Sequence, residues 1–103
     1  MKSGLKVRVK KVWEFADRGA LLPNETIVLK REPDNEVDEF AVRVFRVHAD
    51  TNRHEHVGYV DKENAEAVCK VLDSFSDSVV VSVIPPLNPV QALLHVEWLD
   101  TSK

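Results

Sequence analysis

Three glycines, one cysteine and no apolar run near the ~20 residues of a membrane helix set the first limits on this 103-residue chain. A lone thiol, Cys69, forms no internal disulfide and fits a reducing compartment. So few glycines make a phosphate-cradling loop improbable, and the chain contains no CxxC pair. No Ser-His-Asp arrangement stands in a recognisable catalytic context. Met1-Lys2-Ser3-Gly4 runs straight into a charged alternating segment, so no secretory signal is expected. The expectation is one domain over residues 1–103, intracellular (cytoplasmic or nuclear), with no membrane contact and no enzymatic activity.

The net charge is −3, with 44% apolar and 30% charged residues. That balance argues against coating nucleic acid by bulk electrostatics. The distribution is more informative. Lys2, Lys6, Arg8, Lys10 and Lys11 fall within residues 1–13 with no acid among them. Glu32, Asp34, Glu36, Asp38 and Glu39 crowd residues 32–39 with no base. Such a bipolar surface binds phosphate locally and rejects it nearby.

Leu5, Val7 and Val9 alternate with Lys6, Arg8 and Lys10, a period-two pattern for a half-buried strand, read here as a solvated edge. Thr26–Lys30, Phe40–Val47 and Val57–Val60 supply three more strands. Within the third, Val42, Val44 and Arg46 share one face, Ala41, Arg43, Phe45 and Val47 the other. Pro33-Asp34-Asn35 makes a turn, because proline presets φ and Asx side chains bond the backbone two residues on. His48 to His56 reads as a hairpin loop. Asp61 is a suitable N-cap for a helix over 62–75, whose stripe Ala65, Val68, Cys69, Leu72 and Phe75 is buried. Ser78–Ile84 and Gln91–Leu99 complete the order β-β-β-β-α-β-β. The fold class is mainly β: a small OB-like or SH3-like barrel of about six strands, or a strongly bent sheet, plugged by one helix.

No metal site or cofactor is expected. His48, His54 and His56 occupy a loop without a second ligand group at zinc spacing. Asp34, Glu36 and Asp38 mimic a calcium loop, but Glu39 and Phe45 stand where that loop needs glycine and the bidentate glutamate. Cys69 and Trp98 read as packing residues. Trp13 and Phe15 leave the basic strand and are the candidates for stacking on a base, which needs an exposed ring beside positive charge.

Leu29-Lys30-Arg31-Glu32-Pro33-Asp34-Asn35 with Asp38 and Ala41-Val42-Arg43-Val44, followed by Val57-Gly58-Tyr59-Val60, resembles the central signature of the HIRAN domain. The resemblance extends from Val7 to Trp98. It implies an OB-like barrel with a helix and capture of the 3′-hydroxyl end of single-stranded DNA. It also implies that Asn35 and Asp38 hold the terminal nucleotide, Tyr59 and Lys62 lie near the last phosphates, and Phe15 stacks. Glu36 replaces a frequent proline, Val37 an aromatic that stacks on the terminal base, and Phe40 a frequent asparagine. Val90 stands near another aromatic position.

The expected function is therefore a non-enzymatic module for single-stranded DNA ends, tied to replication or repair. Its site is Asn35, Asp38, Tyr59, Lys62, Phe15, Trp13 and Val37. The alternative is a protein-interaction module on the same fold, favoured by the acidic turn, Val37 and Phe40.

Overall fold

The computed structural model describes residues 2–10, 24–84 and 92–100. Trp13, Phe15 and Val90, three of the residues weighed above, lie outside the described residues. The elements are β1 (Lys2–Lys10), β2 (Thr26–Arg31), β3 (Val42–Val47), β4 (His54–Val60), α1 (Lys62–Phe75), a 3-10 turn (Ser76–Ser78), β5 (Val80–Ile84) and β6 (Ala92–Leu99). The strands form one antiparallel sheet in the order β2-β3-β4-β1-β6-β5. Among the described residues, the mainly-β fold with one helix agrees with the sequence reading. Two expectations about the sheet need correction.

Among the described residues the sheet is not closed into a barrel: β2 and β5 are its edges, and they lie against each other without a hydrogen-bonded ladder. Every pairing of β5 runs to β6. The basic strand β1 is not an edge either. It sits in the middle, paired with β6 over most of its length and with β4 at its end. A strand with one polar face looks the same in sequence whether it is central or peripheral, because alternation reports faces and not neighbours.

Alternation itself transfers faithfully. Val7 and Val9 of β1, Ile27 and Leu29 of β2, and Val42 and Val44 of β3 are buried, and their alternate neighbours are not. Val57, Val60, Val83, Leu94 and Val96 extend this core from the remaining strands. Arg46 follows the same parity inward and is 2% exposed, so its charge is held by Glu25 at 2.7 Å, with Glu55 at 4.0 Å. A buried guanidinium without such a partner is strongly unfavourable. Helix α1 covers the core by packing on β3 and β6, burying Ala65, Val68, Cys69 and Val71. Leu72 packs against the core while only half-buried, as does Phe40. The Cys69 thiol donates to the Phe40 carbonyl oxygen at 3.1 Å, and burial pushes its pKa up, which keeps it a protonated packing group.

The hairpin between β3 and β4 is tighter than expected, because β4 begins at His54. Asn52 takes the left-handed conformation (φ 57°), which asparagine tolerates, and the His48 N–H closes the turn onto the Arg53 carbonyl at 2.9 Å. Farther along, Val44 pairs with Gly58 and Phe45 with His56, so β4 carries a one-residue bulge. Gly58 is wedged against β1: a Cβ there would lie 2.4 Å from the Lys10 carbonyl oxygen and 2.8 Å from Val9 Cγ1. Gly58→Ala is therefore expected to destabilise the protein by about 1–3 kcal/mol, the usual range for overpacking, measured as a lower urea midpoint at unchanged slope.

Asp61 ends β4 and starts the helix, but its carboxylate does a different task from the expected cap. It accepts the Arg8 N–H at 3.0 Å and the Asn64 side-chain amide at 3.0 and 2.9 Å, while its own N–H donates to the Arg8 carbonyl at 2.8 Å. Asp61 is 4% exposed. The pairing of β1 with β4 stops at Val9 and Val60, and an unpaired buried N–H on β1 would be costly. The carboxylate answers that need first.

Candidate functional site

Two ends of the sequence's charge pattern converge beside the start of α1. The acidic turn, the end of β1, the end of β4 and the first helical residue enclose an open groove of about 440 Å³. Lys10, Asn35, Val37, Asp38, Ala41, Tyr59, Val60 and Lys62 line it. Five of the residues named from the sequence thus lie together. Phe40 does not join them, since it packs against the core.

The turn owes its shape to Asn35. Its Oδ1 accepts the N–H groups of Val37 and Asp38, both at 2.9 Å, and its Nδ2 donates to Glu32 Oε1 at 3.2 Å. Its own N–H donates to the Glu32 carbonyl at 3.1 Å. Both ends of the side-chain amide are thereby engaged, so Asn35 builds the site more than it offers groups to a ligand. Asp38 differs. Oδ1 accepts the Phe40 N–H at 2.9 Å, and among the described residues nothing bonds to Oδ2. The groove is thus lined by one acid, Asp38, by two cationic residues, Lys10 and Lys62, and by Val37, which is 94% exposed.

Glu32 anchors this arrangement and was missed by sequence reasoning. Its carboxylate receives the Tyr59 hydroxyl at 3.2 Å and lies 3.2 Å from Arg43 Nε, an ion pair without hydrogen-bond alignment. Behind it, the Glu32 N–H donates to the Ala41 carbonyl at 2.8 Å and Arg31 holds both oxygens of Asp73 on the helix at 2.9 and 2.8 Å. Lys10 was also missed. Its signal was present, as the last exposed cation of an alternating strand, but which strand it meets is not encoded locally.

A family model, the HIRAN domain, matches residues 8–98. The chain belongs to the HIRAN family. Two solved HIRAN structures share its fold at 24% identity. A crystal structure of the HIRAN domain of human HLTF gives a TM-score of 0.67, with 92% of this chain and 74% of that one covered. An NMR structure of the HLTF HIRAN domain in its DNA-bound conformation gives 0.60, covering 95% of this chain and 76% of that one. No curated protein sequence matches the chain. At this identity the likeness establishes the HIRAN architecture, and the site must be judged on its own side chains. Among the described residues no group of His, Cys, Asp and Glu has the geometry of a metal centre, and no helix is long and apolar enough to cross a membrane.

The Tyr59–Glu32 contact leaves a titration signature. Burial first, and then the hydrogen bond to Glu32, raise the Tyr59 pKa above its ordinary value, because ionisation would set two anions side by side. The neutral phenol's contribution to stability is complete below about pH 10 and is lost as pH climbs through the higher folded value. Tyr59 is the single tyrosine of the chain, so an ultraviolet titration reads it directly. The native midpoint is expected above 10, and Glu32→Ala should move it back part of the way while lowering stability by about 1–2 kcal/mol. An unchanged midpoint in the variant would remove Glu32 as the cause.

Proposed function

We propose that this HIRAN domain is a non-enzymatic module that binds DNA, and that it captures the 3′-hydroxyl end of a single strand in the groove. The observation carrying this reading is that Asp38, whose Oδ2 has no bonding partner among the described residues, lines one groove with two cationic residues, Lys10 and Lys62. A carboxylate accepts a hydrogen bond from a free hydroxyl and repels a terminal phosphate. At about 4 Å that repulsion ranges from about 1 kcal/mol in bulk water to about 4 kcal/mol near a protein surface. The cations then hold the internucleotide phosphates behind the terminus. Lys62 is the first residue of α1, whose N-terminus adds partial positive charge, offset by the carboxylates of Asp61 and Glu63 in the same turn. The DNA-bound state of a HIRAN domain of the same fold supports the choice of DNA as ligand.

Val37 sets the affinity expected. An aromatic there would stack on the terminal base, and aliphatic contact forgoes about 1–3 kcal/mol of that. Binding should accordingly be modest and salt-sensitive. A link to replication or repair follows from the kind of DNA that offers free 3′ ends. Val37 also supports the second reading, a protein-interaction module, since an exposed valine on an acidic rim suits a peptide with an apolar residue beside a base.

Fluorescence titration with short single strands ending in a 3′-hydroxyl or a 3′-phosphate tests the proposal. The wild type should prefer the hydroxyl end by about ten-fold or more, and Asp38→Ala should reduce the ratio to near one. Retained selectivity would remove Asp38 from the site. Lys62→Gln should weaken both ends equally and flatten the salt dependence by about 0.7 in logarithmic slope, as for one lost phosphate contact on a single strand.

A further inference from the structure

The register of the sheet sets out a row of charge that begins in the groove and runs out of it. Lys30 of β2 faces Arg43 of β3, Arg43 faces Tyr59 of β4, and Tyr59 faces Lys10 of β1. Directly opposed residues in antiparallel pairs point to the same side, and here it is the side away from the core, since Leu29, Val42, Val44 and Val9 are the buried alternates. Three cations and one phenol therefore cross four strands in a line. By strand spacing the line is about 14 Å long.

Beside it lies a second row, Val28, Phe45 and His56, joined by the same register. The Phe45 and His56 rings are 5.2 Å apart, and His56 meets Tyr59 edge-on at 5.0 Å. Lys30 Nζ stands 5.1 Å from the Phe45 ring centre and Arg43 Cζ 5.7 Å. Burial lowers the His56 pKa, and its Nε2 is 2.9 Å from the Gly58 carbonyl, which can only accept, so Nε2 carries the proton of a neutral ring. The patch thus combines aromatic surface with positive charge.

Two observations say what would cover it. Lys30 directly opposite Arg43 is a like-charge pair, an unfavourable choice for a sheet unless an anion bridges it. Glu32 serves Arg43 from one side, but its carboxylate is already shared with Tyr59 and Asn35, and it does not pair with Lys30. The row also runs without a break into the groove, because Tyr59 and Lys10 belong to both. We infer that the outer face of β2, β3 and β4 is a track for single-stranded nucleic acid, guiding the nucleotides that precede the terminus from Lys10 past Arg43 to Lys30. The direction of the track rests on the end-binding reading; its existence rests on the row. Phosphates bridge the cations and a base stacks on the Phe45–His56–Tyr59 cluster, a pairing that tolerates any sequence. At about 3.4 Å per stacked nucleotide the line holds at most about four.

Lys30→Gln isolates the track, since Lys30 is exposed and lies outside the groove. Anisotropy titrations would compare oligothymidines of three and about eight nucleotides, with free and phosphorylated 3′ ends. For the longer strand, Lys30→Gln should weaken binding about three- to ten-fold at 50 mM salt and lower the logarithmic salt slope by about 0.7. The trinucleotide should bind the variant as it binds wild type, and Lys30→Arg should restore the longer strand. A length-dependent loss without any 3′-hydroxyl preference would sink the end-binding reading and leave the track standing. Wild-type affinity of Lys30→Gln for the longer strand, or an equal loss for the trinucleotide, overturns the track and leaves the groove. Failure of every strand to bind overturns both. If poly-glutamate binds in a Lys30-dependent way and strands do not, the face belongs to an acidic protein.

Discussion

The carboxylate of Glu32 is the contact on which the site depends. One side chain ties the Asn35 amide, the Tyr59 hydroxyl and the Arg43 guanidinium together, and so fixes an acidic turn against a sheet that carries its own cations. Five acids within residues 32–39 would otherwise repel one another and hold the turn away from the core. The bidentate pair of Arg31 with Asp73 and the thiol bond from Cys69 to Phe40 fasten the same segment to the helix from behind. Each contact is modest, as exposed ion pairs and weak thiol donors are. Their shared target, one short loop, is what makes the groove a defined shape.

Asp61 does for the other wall what Glu32 does for the turn. It completes the hydrogen bonding of β1 where β4 leaves it, and in doing so sets the origin of α1 beside Lys10. Strand, helix and turn then share a corner whose members come from residues 10, 35–41 and 59–62. The site is therefore a product of topology, because no two of those segments touch until the sheet order is made.

This accounts for what could be read beforehand. The alternation of β1, β2 and β3 gives correct faces, because burial parity is local, and even the inward parity of Arg46 is visible. On α1 the stripe holds for Ala65, Val68 and Cys69, while Leu72 and Phe75 are half-buried and Val71 is buried instead. The signature residues Asn35, Asp38, Tyr59 and Lys62 were legible from family resemblance, and they do line one groove. Strand neighbours are not legible, so alternation alone reads β1 as an edge and does not separate a barrel from the bent open sheet that forms. Lys10 and Glu32 escaped for the same reason. A lysine on a polar strand face and one glutamate among five acids acquire meaning through partners far away in sequence. Asn35 shows the converse, since its position was recognised while its amide turned out to be spent on the turn itself.

The bulge in β4 has a consequence for parity. In an unbroken strand, side chains alternate, and His54 and His56 facing outward would put Tyr59 indoors. Val57 and Gly58 are buried in succession, and that doubled step inverts the alternation for everything after it. The phenol thereby emerges on the solvent side, while Val60 returns to the interior one residue later. One supernumerary residue in a ladder thus decides that the chain's lone tyrosine is a surface group and not a core one.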